Sequence, residues 1–331
     1  MSTAPLLAPP DARVLFDRMR DRKIMVVGDA MIDEWIWGTV TRISPEAPVP
    51  VVNVDDHSFT LGGAGNVANN LRALGAGVQL VGTVGRDDLA QRLGTLLDDI
   101  SVRRDGVLIV GDRPTTRKTR IVAHSQQVVR ADWESTASIS ATDGERIAEF
   151  VRARAREADA VVISDYGKGL VSREIVEAAL AAPLVVVDPK PQNMELFAGV
   201  SCVAPNMHEA EIATGLRITD DASLERVAQT LLERLRCRYV VITRGERGMA
   251  LFSSDGVELH VPAVARTVYD VSGAGDTVVA VLTLAFAAGA SAELALQLAN
   301  FAAGAVVEKL GTATASPDEI LALIDHGFQA G

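Results

Sequence analysis

The residues Asp270-Val271-Ser272-Gly273-Ala274-Gly275-Asp276-Thr277 stand directly before an apolar stretch of helical length. Glycines let a backbone turn tightly and approach a ligand closely. The free N–H groups of a helix N-terminus face whatever sits there, and the helix dipole favours an anion. An aspartate at such a mouth would repel a phosphate, but it can accept a proton beside one. Phosphoryl transfer needs both parts, donors for the charge on the moving group and a base for the attacking hydroxyl. Asp276 is the expected base. The alternative is a capped helix start in which Asp276 only complements the dipole.

A second glycine loop, Leu61-Gly62-Gly63-Ala64-Gly65-Asn66-Val67-Ala68, also opens a helix. Gly63, Gly65 and Ala68 satisfy the G-x-G-x-x-A dinucleotide fingerprint. However, the loop follows an irregular β-patterned segment and not the first strand of a βαβ unit. A sugar-binding loop fits better, with Gly62 and Gly63 permitting close approach and Asn66 offering a side chain to hydroxyls. Asp29 and Asp33 follow the first predicted strand, Lys23–Gly28, at the edge where ligands bind in open α/β sheets. They are expected to clamp sugar hydroxyls; a cap and a solvated acid is the other reading. From Arg113 to Arg130 the chain carries Arg113, Arg117, Lys118, Arg120 and Arg130 without one acid. Strand alternation puts Lys118 and Arg120 on one face. Lys168 and Lys190 follow predicted strands and could close on the same region, so these cations are expected to hold a distal sugar phosphate.

The elements that position these residues are readable from hydrophobic pattern. KIMVVG, VQLVGTVG, AVVIS, LVVVD and YVVIT are near-continuous apolar runs, as in a parallel sheet covered on both faces. Amphipathic stretches lie between them, which predicts a doubly wound α/β fold. Two segments, about 35–60 and 107–131, are β-patterned without helical period. They predict a small sheet beside the main domain, a lid whose edges could pair two chains into a homodimer. The expected organisation is one kinase domain over 11–331 with that lid, after a disordered leader of residues 1–10.

Bulk composition narrows the classes. The chain has 331 residues, 48% of them hydrophobic, and a net charge of −11. That acidity argues against nucleic acid as a partner. The start, MSTAPLLAPP, lacks a signal-peptide pattern, and the two cysteines match no metal spacing, so a cytoplasmic protein is expected. The apolar run from Val278 is broken by Thr283, Gly289, Ser291 and Glu293, which predicts buried core helices and no membrane span.

Together these residues resemble the ribokinase-like (PfkB) carbohydrate kinases over nearly the whole chain. The early Gly-Gly loop matches Gly62–Asn66, and the late D-T-x-G-A-G-D signature matches Asp270–Asp276, with Val271 and Ser272 at variable positions. An N-x-x-E element matches Asn206–Glu209, and T-x-G-x-x-G matches Thr243–Gly248. The resemblance implies ATP with Mg²⁺, often with K⁺ nearby. It implies that the amides of Gly273, Ala274 and Gly275 form an anion hole and that Glu209 meets magnesium through water. It places Asn206, Thr243, Gly245 and Gly248 at the nucleotide. Asn300, a polar interruption on an apolar helix, is expected near adenine or ribose, or else as a core amide satisfied by the backbone. No Walker A string occurs. Within the family, GDAMIDEWIWG, RISPEAPVPVV, SDYGKG, DPK and GTATAS resemble the branch that acts on a heptose 7-phosphate. SDYGKG adds Asp165 to Lys168 on the substrate side. In many bacteria a nucleotidyltransferase domain follows such a kinase, and the resemblance here is to the stand-alone form. Other expectations weighed are a related kinase for ribose, fructose phosphate or a nucleoside, a non-catalytic ATP or sugar sensor, and a dehydrogenase.

Overall fold

The apolar runs lie side by side in the centre of a nine-stranded sheet. The structure is a computed structural model that describes residues 7–124, 126–264 and 269–330. Its strands are β1 (Lys23–Gly28), β2 (Ala30–Ile43), β3 (Pro50–Gly63), β4 (Gly77–Val84), β5 (Arg103–Ile109), β6 (Thr116–Ala123), β7 (Gln126–Trp133), β8 (Ala160–Ser164), β9 (Val185–Asp188), β10 (Cys202–Val203), β11 (Tyr239–Thr243), β12 (Met249–Ser253) and β13 (Glu258–Val261). The large sheet has the order β13-β12-β11-β10-β9-β8-β1-β4-β5, and every pairing is parallel except β11–β12 and β12–β13, so β12 alone runs in reverse. Successive residues of β1 feed opposite cores. Ile24 and Val26 join one buried cluster, and Met25 and Val27 join the other. Hence no strand of this centre can alternate polar with apolar.

The helices are α1 (Pro9–Met19), α2 (Ala64–Ala73), α3 (Asp88–Asp99), α4 (Ala141–Arg154), α5 (Arg173–Ala179), α6 (Met207–Thr214), α7 (Asp221–Leu235), α8 (Ala274–Ala287), α9 (Ala292–Val307) and α10 (Pro317–Ala330). Helices α2, α8 and α9 cover one face, and α4, α5 and α7 cover the other. The apolar run from Val278 becomes the paired core helices α8 and α9. Among the described residues no helix is long and apolar enough to cross a membrane.

A second sheet of four strands, in the order β3-β2-β6-β7, stands beside the first. Its outline differs from the sequence expectation at both ends. Residues 107–109 belong to β5 of the large sheet, paired with β4, so the second excursion runs from Thr116 to Trp133. The first excursion runs from Ala30 to Gly63, because pairing continues to Ala30↔Gly63 at the foot of the lid. The expected leader also needs correction where it is described. Pro9 and Pro10 open α1, where their missing N–H groups cost nothing. Leu7 is buried, with its amide donating to Gln297 Oε1. Residues 1–6 lie outside the described residues.

Candidate active site

Strands β1 and β8 end side by side at Gly28 and Ser164. Later strands extend the sheet in opposite directions from this pair, so a crevice opens past their carboxyl ends. Asp29 Oδ2 accepts from the backbone amides of Tyr166 (2.8 Å) and Lys168 (3.0 Å). Burial pushes the Asp29 carboxyl up, and those amide bonds oppose the rise. Asp165 is fully buried. Its oxygens accept from the amides of Gly167 and Lys190 and from the Asn193 side chain. Asp29 and Asp165 therefore fix the loop of residues 165–168. The expectation that Asp165 binds the sugar is corrected, since it is sealed from solvent with both oxygens taken.

Asp276 lies in the first turn of α8 and is buried. The Tyr166 hydroxyl donates to its Oδ1 at 2.7 Å, and Asn66 Nδ2 donates to its Oδ2 at 2.7 Å. Burial pushes the Asp276 carboxyl up to about 6; the Asn66 and Tyr166 bonds restrain it, the Asp33 charge adds to the rise, and Lys190 opposes it. A carboxylate with that value is ionised at neutral pH and is still a useful proton acceptor. Asn66 is fully buried in α2 and is tied to Asn70, which accepts from the Thr277 hydroxyl. The expected role of Asn66 at sugar hydroxyls is thus corrected. Its side chain donates to Asp276 and accepts from Asn70, so it is already committed inside the α2–α8 contact.

The glycines explain how these groups come so close. Gly273 has φ +79°, and a Cβ there would stand 2.6 Å from Asn66 Nδ2. A Cβ on Gly62 would stand 2.6 Å from Asp33 Oδ2. Gly63 has φ +54° and is the N-cap of α2. At Gly275, by contrast, a Cβ would meet nothing within 4 Å, so the helix mouth is open there. Of the expected anion-hole amides, that of Ala274 turns back to the Val271 carbonyl at 3.3 Å, a correction to its role. Asp270 accepts from the amides of Ser272 (2.9 Å) and Gly311 (3.0 Å), which pins the loop before the helix.

Arg117, Lys118, Arg120 and Arg130 of the basic run each meet an acid outside the run, whereas Arg113 donates to backbone carbonyls. Register pairs Asp33 with Lys118 and Trp35 with Arg120, so these four share a face. Arg120 forms an ion pair with Asp33 and lies over the Trp35 ring. Lys118 Nζ reaches Asp132 (3.1 Å) and Glu134 (3.4 Å), and Lys168 Nζ reaches the same Glu134 at 2.7 Å. Burial works against the Glu134 charge, yet the Lys168 bond and the Lys118 charge hold its carboxyl below the ordinary range. Arg117 and Thr119 face the other way, toward Glu34. Lys190 departs from the expected phosphate cluster. Its ammonium pairs with Glu209 and lies 5.4 Å from the Tyr166 ring centroid.

Beyond Lys190, Asn206 and Glu209 form a capping box at the start of α6. Asn206 also bridges to Thr243 at the end of β11. Gly245 (φ +59°) and Gly248 (φ +78°) turn the chain there, with open space beside Gly245. Asn300 is buried in α9 and donates to the Pro262 carbonyl at 2.7 Å.

Residues 21–319 match the pattern of the pfkB family of carbohydrate kinases. The chain belongs to that family. It is 44% identical over 318 residues, 94% of its length, to the bifunctional protein HldE of Citrifermentans bemidjiense. It is 47% identical over 305 residues, 91% of its length, to that of Desulfatibacillum aliphaticivorans. The chain spans only 65% and 62% of those two proteins. Among solved structures it resembles the Arabidopsis thaliana ribokinase complexed with ribose and ATP, with TM-score 0.73, 22% identity and coverage of 92% of this chain and 99% of that one. It likewise resembles phosphofructokinase-2 from Escherichia coli in complex with potassium, with TM-score 0.77, 20% identity and coverage of 92% and 99%. At such identities these two establish the ribokinase-like α/β fold. The pfkB family is one of carbohydrate kinases.

In this pfkB kinase the residues gathered around Asp276 come from both glycine loops, the lid and the β8–β9 edge. Three that matter were not singled out from the sequence: Tyr166, Glu134 and Asp188. Tyr166 lies inside the SDYGKG string, but nothing local says that its hydroxyl reaches residue 276. Asp188 ends β9 facing the α8 side, and its carboxyl is pushed well above the ordinary range by burial and then by the charges of Asp276 and Glu209. The carboxyls of Asp188, Asp276 and Glu209 thus crowd one another, and a divalent cation beside them would relieve that crowding. Among the described residues no three His, Cys, Asp or Glu side chains form a metal cage. An ion liganded mostly by phosphate oxygens and water fits this donor set, with Glu209 as the protein group that would meet it.

Proposed function

We propose that this pfkB kinase transfers the γ-phosphoryl group of ATP to the anomeric C1 hydroxyl of D-glycero-β-D-manno-heptose 7-phosphate, giving the 1,7-bisphosphate used toward ADP-heptose and the lipopolysaccharide core. The observation that carries the substrate class is the convergence of Lys118 and Lys168 on Glu134, on the lid face that also holds Asp33 and Arg120. Asp33 is near enough to Asp276 to influence its ionisation. One face thus joins a cationic pair to the base, as a substrate with a hydroxyl at one end and a phosphate at the other requires. The strings shared with the heptose branch and the identity to the HldE proteins support the same reading.

In the reaction, Asp276 takes the proton of the C1 hydroxyl as its oxygen attacks the γ-phosphorus. The bond from that phosphorus to the β–γ bridging oxygen breaks, and ADP leaves. The amides of Gly273 and Gly275 at the mouth of α8 face the charge carried by the moving group. Magnesium bound with ATP would neutralise the phosphate oxygens, and Glu209 is the residue that would meet it. Thr243, Gly245 and Gly248 form the surface for the nucleotide. Asn300 would support that surface from within, since its amide is bonded to the Pro262 carbonyl. A homodimer through the lid fits the exposed Val54 on β3 and Val128, Val129 and Trp133 on β7, the two edge strands. ATP as donor fits a cytoplasmic setting.

The deciding experiment is a substrate panel read by ADP release, with the product located by phosphorus NMR. Heptose 7-phosphate is expected to be used far better than heptose, ribose or fructose 6-phosphate, with the new phosphate on C1. Equal use of heptose and its 7-phosphate would overturn the substrate assignment, and absence of turnover with every sugar would overturn the kinase reading of the site.

A further inference from the structure

The Tyr166 hydroxyl has no part in the steps above, yet it donates to one oxygen of the base at 2.7 Å. Its backbone is fixed by the hydrogen bond that its N–H donates to Asp29 Oδ2, and its ring lies beneath the Lys190 ammonium. The residue therefore touches the proton acceptor with one end and the cation of the nucleotide side with its face. Burial, and then the Asp276 charge, push the phenol well above its ordinary range, so it stays a neutral donor. A hydrogen bond to an ionised carboxylate favours that form and restricts its rotation. Asn66 bonds the other oxygen, but it is also part of the α2–α8 packing, whereas Tyr166 sits on a loop and can lose its hydroxyl with the ring retained.

We propose that Tyr166 is a positioning residue for phosphoryl transfer, whose hydroxyl fixes the orientation of the Asp276 carboxylate and keeps it ionised in a buried site. This rests on the reading of Asp276 as base. The other charged groups around Asp276 are Asp33 with its partner Arg120 from the lid, Asp188 and Lys190 from the end of β9, Asp29 and Asp165 beneath the loop, and Asp270 from the segment before α8. Tyr166→Phe removes none of them, so a changed pH response reports the hydroxyl.

The test is kcat/KM for the sugar phosphate against pH in wild type, Tyr166→Phe and Asp276→Asn. Wild type is expected to lose activity on the acid side with a midpoint near the value of about 6 for Asp276. In Tyr166→Phe that midpoint should move up by about one pH unit, since a charge-assisted hydrogen bond is lost. Fluorotyrosine placed at residue 166, a stronger donor, should move it down. This arm also keeps the test alive should Tyr166→Phe fail to fold. An unmoved midpoint in both arms, whether or not the rate falls uniformly, overturns the inference. Should Asp276→Asn keep its rate and wild type show no acid limb, the base assignment fails and the Tyr166 role falls with it. Should Asp276→Asn be inactive while the Tyr166 arms leave the midpoint unmoved, the Tyr166 role alone fails.

Discussion

Asn66 Nδ2 donates to Asp276 Oδ2 at 2.7 Å across a separation of 210 residues. This bond joins the two glycine loops into one site. It requires α2 and α8 to lie against each other on the same face of the sheet, and Thr277 and Asn70 supply a second bond one turn deeper. The glycine at 273 is what allows the approach, because any side chain there would occupy the place of the Asn66 amide.

Asp276→Asn should lower kcat by about 10²–10⁴-fold while leaving KM for ATP close to wild type. The same variant should melt at a higher temperature above pH 6. Asp276 is raised in the folded chain from 3.8 to about 6, so its contribution to stability is full below about pH 4 and is lost as pH rises through 6. The amide carries no charge to bury, and the Tyr166 hydroxyl can turn to accept from it. A gain of about 1–3 kcal/mol at pH 8 that vanishes near pH 4 is expected. A variant less stable than wild type at pH 8 would contradict this account of the buried charge.

Gly273→Ala and Gly275→Ala form a matched pair. The first places a Cβ 2.6 Å from Asn66 Nδ2 on a residue with φ +79°, and should cost about 1–3 kcal/mol of stability as well as most of the activity. The second adds a methyl where nothing lies within 4 Å, so the fold should hold and KM for ATP should rise. Thermal melts and initial rates on both variants distinguish these outcomes. Equal losses of stability would mean that the open mouth at Gly275 is misplaced.

The parallel sheet and the two glycine loops were legible in sequence because each is written locally, in apolar runs and in residues with special backbone needs. Partnerships were not. Nothing near Asp165 says that two loop amides and Asn193 will consume its oxygens, and nothing near Lys190 chooses Glu209 over a distal phosphate. Tyr166 was hidden for the same reason, since its partner is 110 residues away. The lid outline failed where two sheets meet, because β5 carries the same apolar pattern as a lid strand. At the start of the chain, Pro9 and Pro10 read as leader when they in fact open α1.

The edges of the lid are expected to bring two chains together. Strands β3 and β7 are both terminal in their sheet, and Val54, Val128, Val129 and Trp133 are exposed along them. Unpaired edges with apolar side chains favour pairing with another strand. Light scattering at micromolar concentration should give twice the chain mass of 35.0 kDa, and Val129→Lys should shift it toward the monomer. A wild-type monomer under these conditions would remove the lid from the list of interfaces.

The cations near the base divide into two groups with different partners, and this separates what they should do. Lys118 and Lys168 meet at Glu134, whose two oxygens bond one ammonium each. Their side chains are mostly shielded from solvent, so two positive charges stand against one shared carboxylate, and Asp132 also leans on Lys118. A dianionic phosphate entering there would gain two charge-assisted bonds, each worth about 1.5–3 kcal/mol. Lys190 instead pairs with Glu209, whose other oxygen accepts the Asn206 amide in the capping box. Asn206, the cap partner of Glu209, bridges in turn to Thr243 at the end of β11. Lys118→Ala and Lys168→Ala should therefore raise KM for heptose 7-phosphate about ten- to a hundredfold and leave KM for ATP nearly unchanged. Lys190→Ala should show the reverse, with KM for ATP raised and the sugar phosphate little affected. The decisive control is the unphosphorylated heptose, whose weak turnover should be insensitive to Lys118 and Lys168. If Lys168→Ala impaired both sugars equally, the pair would be holding the lid in place and not reading the phosphate.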